Sequence, residues 1–162
     1  MNQSAESRYV YVTFIRTTPE KLWSALTDPE QMKEYWFGMK IKTDWRTGAG
    51  WEMVFPDGRV ADTGEILELE RPKRIRLKWR NEFMPELKAE GFTLCTIEIE
   101  PYGDAVRLSI THTMERADSK FIEAVAGGWP KILSNLKSFL ETGNVVLTEA
   151  DHAHARDVPQ RV

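Results

Sequence analysis

Few side chains in this sequence combine the type and the spacing that chemistry needs. His112 is the only histidine within the patterned part of the chain, and it follows Val106, Leu108 and Ile110 in an alternating run that reaches Met114. That phase turns the imidazole toward the apolar side. There it would act as a general base, as a polar anchor in a pocket, or as a core histidine satisfied by a backbone or water partner. A base would need a carboxylate or second base beside it, and no acid in that strand shares its phase. Cys95 keeps step with Ile97 and Ile99, so it reads as a small buried apolar residue rather than a nucleophile. As the single cysteine it can form neither an internal disulfide nor a Cys-based zinc or iron–sulfur site. The chain has no Gly-rich phosphate loop, serine elbow, paired-carboxylate motif or HExxH, and no cofactor is implied. Asp151-His152-Ala153-His154 alternates metal ligands in a polar tail, a weak scavenging site at best, so no metal centre is expected.

Aromatic residues are the other resource. Six Trp, seven Phe and four Tyr in 162 residues exclude whole-chain disorder. Trp36, Phe37, Trp45, Trp51, Phe55, Trp79, Phe83 and Phe92 cluster in the middle of the sequence. Trp36-Phe37 and the Asn81-to-Gly91 loop, with Phe83, Met84, Pro85 and Leu87, put apolar residues where water should be. Such loops cap a cavity mouth, a partner or a second subunit, which leaves room for a homodimer. The row Arg74, Arg76, Lys78 and Arg80 would either attract an acidic partner or form a solvated strand face partnered by Glu68, Glu70, Glu98 and Glu100. With 22 Lys plus Arg against 25 Asp plus Glu, no nucleic-acid partner is expected. The absence of an apolar run of membrane length or of a secretory h-region argues against a membrane and for the reducing cytoplasm.

The elements that must position these residues are legible in the periodicity. Tyr9 to Ile15 reads as a strand. Thr18-Pro19-Glu20 and Asp28-Pro29-Glu30-Gln31 each start a short helix with a capping residue and a proline at the first helical position. From about residue 39 to 113 strand follows strand. Trp51, Met53 and Phe55 alternate with polar or small residues, Ile75, Leu77 and Trp79 with the basic row, and Ile97 and Ile99 with Glu98 and Glu100. Turns fall at Pro56-Asp57-Gly58, Arg71-Pro72 and Pro101-Tyr102-Gly103-Asp104. A long helix from about Ser119 to Thr142 repeats apolar residues every three or four positions and stops at Gly143. Gly127, Gly128 and Pro130 interrupt its middle, where a kink is expected. The expected fold is α+β: a curved antiparallel sheet wrapped around a long C-terminal helix, with two short helices after the first strand.

The segment from Pro19 to Glu30, the later Trp36, and Gly128-Trp129-Pro130-Lys131-Ile132-Leu133-Ser134-Asn135-Leu136-Lys137 carry a resemblance. Together they resemble the START-like (SRPBCC) superfamily and, within it, the family similar to the C-terminal domain of the activator of the ninety-kilodalton heat-shock chaperone ATPase. The resemblance implies the helix-grip (Bet v-like) fold over one domain at 8–143; residues 1–7 read as an arm, and the polar stretch 144–162, which lacks an apolar stripe, as a mobile tail. It also implies a deep cavity between sheet and helix that takes apolar ligands, and it supplies no universal catalytic residue. The two-domain activator has an additional N-terminal domain for which 162 residues leave no room, so direct chaperone activation is not expected.

On the shared inward phase, the expected ligand site is Trp51, Met53, Trp79, Ile97, Leu108, His112, Trp129 and Leu133. The expected role is binding a small hydrophobic or aromatic molecule. The alternatives are a cyclase- or aromatase-like enzyme using His112, and a chaperone-related, stress-response interaction module using the Asn81-to-Gly91 loop. Gly127 and Gly128 would either let the helix yield to a ligand or allow close packing on the sheet.

Overall fold

The computed structural model describes residues 5–148 and 150–151. Strand β1 (Ser7–Ile15) leads into helices α1 (Pro19–Thr27) and α2 (Pro29–Tyr35). A meander follows, of β2 (Lys40–Thr43), β3 (Gly50–Val54), β4 (Val60–Glu70), β5 (Arg74–Asn81), β6 (Thr93–Tyr102) and β7 (Ala105–Met114), with the short helix α3 (Pro85–Lys88) between β5 and β6. Helix α4 (Lys120–Thr142) closes the domain. The seven strands form one antiparallel sheet in the order β1-β7-β6-β5-β4-β3-β2, so α1 and α2 carry the chain from one edge strand to the other.

The helix starts are built as their residue types dictate. The Thr18 hydroxyl accepts from the Lys21 amide, Asp28 accepts from the Glu30 amide, and prolines open both helices. At α4 the Ser119 hydroxyl accepts from the Ile122 amide, and Gly143 ends the helix in the left-handed region at φ 85°. Helix α4 runs without interruption through Gly127, Gly128 and Pro130. A Cβ on either glycine would meet no heavy atom within 4 Å, which removes the close-packing explanation for both.

Gly64 is the glycine that packing does require. Opposite Trp51 and Trp79, it leaves the space through which the Trp51 indole Nε1 donates to the Lys78 carbonyl at 3.0 Å. A Cβ there would collide with that carbonyl. Bulges at Met53/Val54 and Ile66/Glu68 bend β3 and β4 beside it.

Core residues lie on the helix side of the sheet. Ile75, Leu77, Trp79, Ile97, Leu108 and Ile110 are buried against Trp129, Leu133 and Leu136 of α4. The basic row faces the other way, and its three arginines are paired with acids. Arg74 lies near Glu68 (3.4 Å) and Glu98 (3.6 Å), Arg76 near Glu68, and Arg80 bonds Glu82 at 2.7 Å. Glu100 pairs with Arg107 rather than with the row. Lys78 and Arg80 also sit over the Phe92 ring.

Just beyond α4 the chain is fastened by buried Asn135, whose Oδ1 accepts from the Val146 and Leu147 amides while Nδ2 donates to the Leu147 and Tyr35 carbonyls. His152 and His154 lie outside the described residues, and among those described no group of acids, histidines and cysteine is placed to hold a metal.

Candidate functional site

The space between α4 and the sheet is occupied mainly by indoles. Trp36, at the end of α2, lies over Trp79 of β5 with ring centroids 6.3 Å apart and meets Trp129 of α4 edge-on at 5.5 Å. Trp79 and Trp129 meet at 5.9 Å, and Trp51 packs edge-on against Trp79 at 4.8 Å. The deep cavity implied by the resemblance is therefore reduced to about 20 Å³. That is room for about one water.

Its wall is made by Leu26, Tyr35, Trp36, Ile41, Trp45, Ile75, Leu77, Trp79, Ile97, Trp129, Ile132 and Leu133. None of these carries a charge. Of the eight expected site residues, Trp79, Ile97, Trp129 and Leu133 wall the cavity. Trp51, Met53, Leu108 and His112 are buried in the same core but stand behind that wall. Strand phase explains the difference: it assigns a face, whereas distance along the strand decides which inward residues reach the cavity. The wall residues Tyr35, Trp36, Ile41 and Trp45 come from α2, the short edge strand β2 and the loops beside it, a stretch with no alternating run long enough to set a phase.

The polar groups behind the wall are committed to one another. Trp129 Nε1, which can only donate, gives its hydrogen to His112 Nδ1 at 3.2 Å, so Nδ1 must be the unprotonated nitrogen. His112 Nε2 then carries the proton and donates to Thr93 Oγ1 at 2.8 Å, while the Thr93 hydroxyl donates to the Trp79 carbonyl at 2.9 Å. Burial lowers the His112 pKa to about 3. The ring is neutral and sealed, with both nitrogens used, so in the folded chain it works as a bolt between β7 and α4 rather than as an acid or base. Burial likewise raises the pKa of Cys95, which keeps it a thiol.

A second polar group went unnoticed in the sequence. Asp62 sits on the inward side of β4 opposite Asn81; its carboxylate accepts from Trp79 Nε1 at 2.7 Å and from Asn81 Nδ2 at 3.3 Å. Among the described residues no cation pairs with it. Burial raises its pKa to about 6 against the effect of the Trp79 bond, and the charge of Glu82 adds to the rise. Glu82 itself goes the other way. Burial would raise it, but bonds from Arg80, Thr63 and Lys88 outweigh burial and hold it at about 2.

The apolar loop between β5 and β6 is pinned at both ends. Asn81 Oδ1 accepts from the Met84 amide, and Glu90 accepts from Ser119 Oγ at 2.6 Å and from the Lys120 and Phe121 amides at the start of α4. Phe83 stacks edge-on with Phe55 yet stays 48% exposed, and Phe92 is 41% exposed, so the loop keeps an apolar outer surface. A wider groove of about 440 Å³ runs along the surface past Lys33, Phe37, Pro56 and Leu147. It is open to water and mixed in character, unlike the closed apolar space under α4.

The family described as Activator of Hsp90 ATPase homolog 1-like protein matches residues 16–141. No curated protein matches the sequence. Among solved structures the chain is similar to protein MLL2253 from Mesorhizobium loti, at TM-score 0.71 and 24% identity over 83% of this chain and 96% of that one. It is also similar to PFC0360w, an HSP90 activator from Plasmodium falciparum, at TM-score 0.68 and 21% identity over 82% and 95% of the two chains. A third similar structure is DynU16, from the dynemicin biosynthetic locus, at TM-score 0.69 and 17% identity over 85% of this chain and 48% of that one. At these identities the structures establish the fold they share.

Proposed function

We propose that this chain, which belongs to the Activator of Hsp90 ATPase homolog 1-like protein family, binds a small uncharged apolar or aromatic molecule between its sheet and α4. The observation that carries the reading is the uncharged wall in which Trp36, Trp45, Trp79 and Trp129 converge. Four indoles in one place offer flat, polarizable surfaces suited to another ring, and they offer no counter-charge to an ion. At about 20 Å³ the closed space takes nothing larger than water, so ligand uptake requires one wall to give way. Turnover has little support, since the one histidine near the site is neutral and fully bonded.

The test is a titration of the whole chain with indane, an uncharged bicyclic probe, followed through the tryptophan indole N–H resonances. Trp36, Trp45, Trp79 and Trp129 should shift together, whereas Trp23, buried on α1 outside the wall, should not. Unchanged spectra, or shifts that include Trp23 equally, would remove the reading. Native mass spectrometry of the freshly purified chain should in addition show a retained organic mass.

A second reading, docking of a chaperone-like protein, is favoured by the exposed Phe83, Met84 and Phe92 of the β5–β6 loop. Stimulation of a chaperone ATPase by the wild-type chain, lost on Phe83→Ser, would support it.

A further inference from the structure

We propose that Trp45 is the residue that selects the ligand, by presenting its indole N–H to an acceptor oxygen, so that the ligand is an uncharged aromatic molecule bearing a carbonyl. This rests on the reading of the space under α4 as a ligand site. Trp45 walls that space, and its Nε1 is the one buried side-chain polar atom without a hydrogen-bond partner among the described residues. Buried donors are nearly always satisfied, so an orphan in the wall of a cavity marks where a partner belongs.

The remaining donors show why the partner comes from outside. Tyr35 donates to the Ala25 carbonyl, Trp79 to Asp62 and Trp129 to His112. Each of these is committed to the protein and held in place by that bond, whereas the Trp36 indole N–H makes no bond within the protein and is not among the buried orphans. The Trp45 backbone adds a second observation, because its φ of 50° lies in the left-handed region that disfavours a bulky side chain. The chain thus holds this indole in place through an unfavourable backbone and leaves its hydrogen unused. A water is a poor filler, since it needs two or more polar partners and this is the single buried free donor the wall offers it. An anion would exchange its hydration for a single N–H, and a cation would meet no carboxylate in the wall. A carbonyl oxygen on a flat ring matches both the donor and the indoles around it.

The experiment compares indane with 1-indanone, which differ by that carbonyl alone. Wild-type protein should bind 1-indanone roughly tenfold more tightly, the effect of satisfying one buried donor. In Trp45→Phe the preference should collapse to about onefold, and the ratio cancels any change in cavity size. A readout in the wild-type chain stands even if the variant folds poorly. The Trp45 indole N–H resonance should move further downfield with 1-indanone than with indane. Equal affinities in the wild type, a preference that survives Trp45→Phe, or an indole resonance indifferent to the carbonyl would each overturn the assignment and leave the binding function standing. Failure of both probes to bind would overturn the assignment and the binding function together.

Discussion

Replacing Gly127 and Gly128 together by alanine should make the domain more stable. Both lie inside α4, neither has a positive φ, and a Cβ on either would enter open space. Nothing in the packing therefore opposes alanine, and the entropy glycine loses on entering a helix is saved twice. At about 0.5–1 kcal/mol per site the gain is about 1–2 kcal/mol. For a chain of 162 residues, each kcal/mol moves the midpoint of thermal unfolding by about 2–4 °C, so the double variant should melt roughly 2–8 °C higher. Calorimetry and urea unfolding measure it directly. An unchanged or lowered midpoint would refute the reasoning, because it would mean that α4 lies closer to its neighbours than its backbone indicates. The same variant addresses why the glycines are tolerated. They stand immediately before Trp129, which walls the cavity. If that turn yields during ligand uptake, stiffening it should slow association of indane in stopped-flow measurements, and an unchanged rate would place all of the yielding elsewhere.

Three further outcomes follow from the buried polar groups. Asp62 has its folded pKa raised from 3.8 to about 6, so its contribution to stability is present in full below pH 4 and is lost as pH rises through 6. Asp62→Asn escapes that loss, so its stability relative to wild type should improve by about 2–3 kcal/mol between pH 4 and pH 7 in urea unfolding; a constant difference would show that the carboxyl titrates normally. His112, held near pH 3 by burial, should show ring resonances unmoved between pH 5 and 8. His112→Ala should cost about 2–4 kcal/mol, because it leaves the Trp129 indole N–H without its acceptor in a sealed core, and a loss below 1 kcal/mol would contradict the bolt.

The parts of the fold legible in the sequence are those set by local rules. Thr18-Pro19 and Asp28-Pro29 start helices wherever they occur in such contexts, and the strict alternation of Ile75, Leu77 and Trp79 with basic residues leaves one possible inward face. The site depends on rules that are not local. Phe37 and Trp45 adopt positive φ, which sequence assigns to glycine or asparagine, so the path that carries Trp36 and Trp45 to the cavity had no signature. Asp62 looked like an ordinary strand acid, because its partners Trp79 and Asn81 lie on a neighbouring strand whose pairing is fixed only by register and bulge. Asn135 stood within a recognisable motif, yet its task of fastening Val146 and Leu147 depends on a turn after Gly143.

These distinctions also bear on which wall moves. Trp51, Trp79 and Trp129 are each fixed by an indole N–H bond, to the Lys78 carbonyl, Asp62 and His112. Displacing any of them would strand a buried donor as well as lose packing. Trp45 makes no such bond, and no bond ties the indole of Trp36 to the sheet or to α4. Both belong to the stretch between α2 and β3, where Phe37, Gly38, Trp45 and Gly48 adopt positive φ. The one strand in that stretch, β2, has four residues at the sheet edge and pairs on one side only. Opening the cavity from this side costs packing area but breaks none of the buried indole bonds. On the proposed function the β5 and α4 wall is therefore the fixed template against which a ligand is read. The Trp36–Trp45 stretch is the part that gives way, and it carries to the ligand the one buried indole hydrogen that the described residues leave unused.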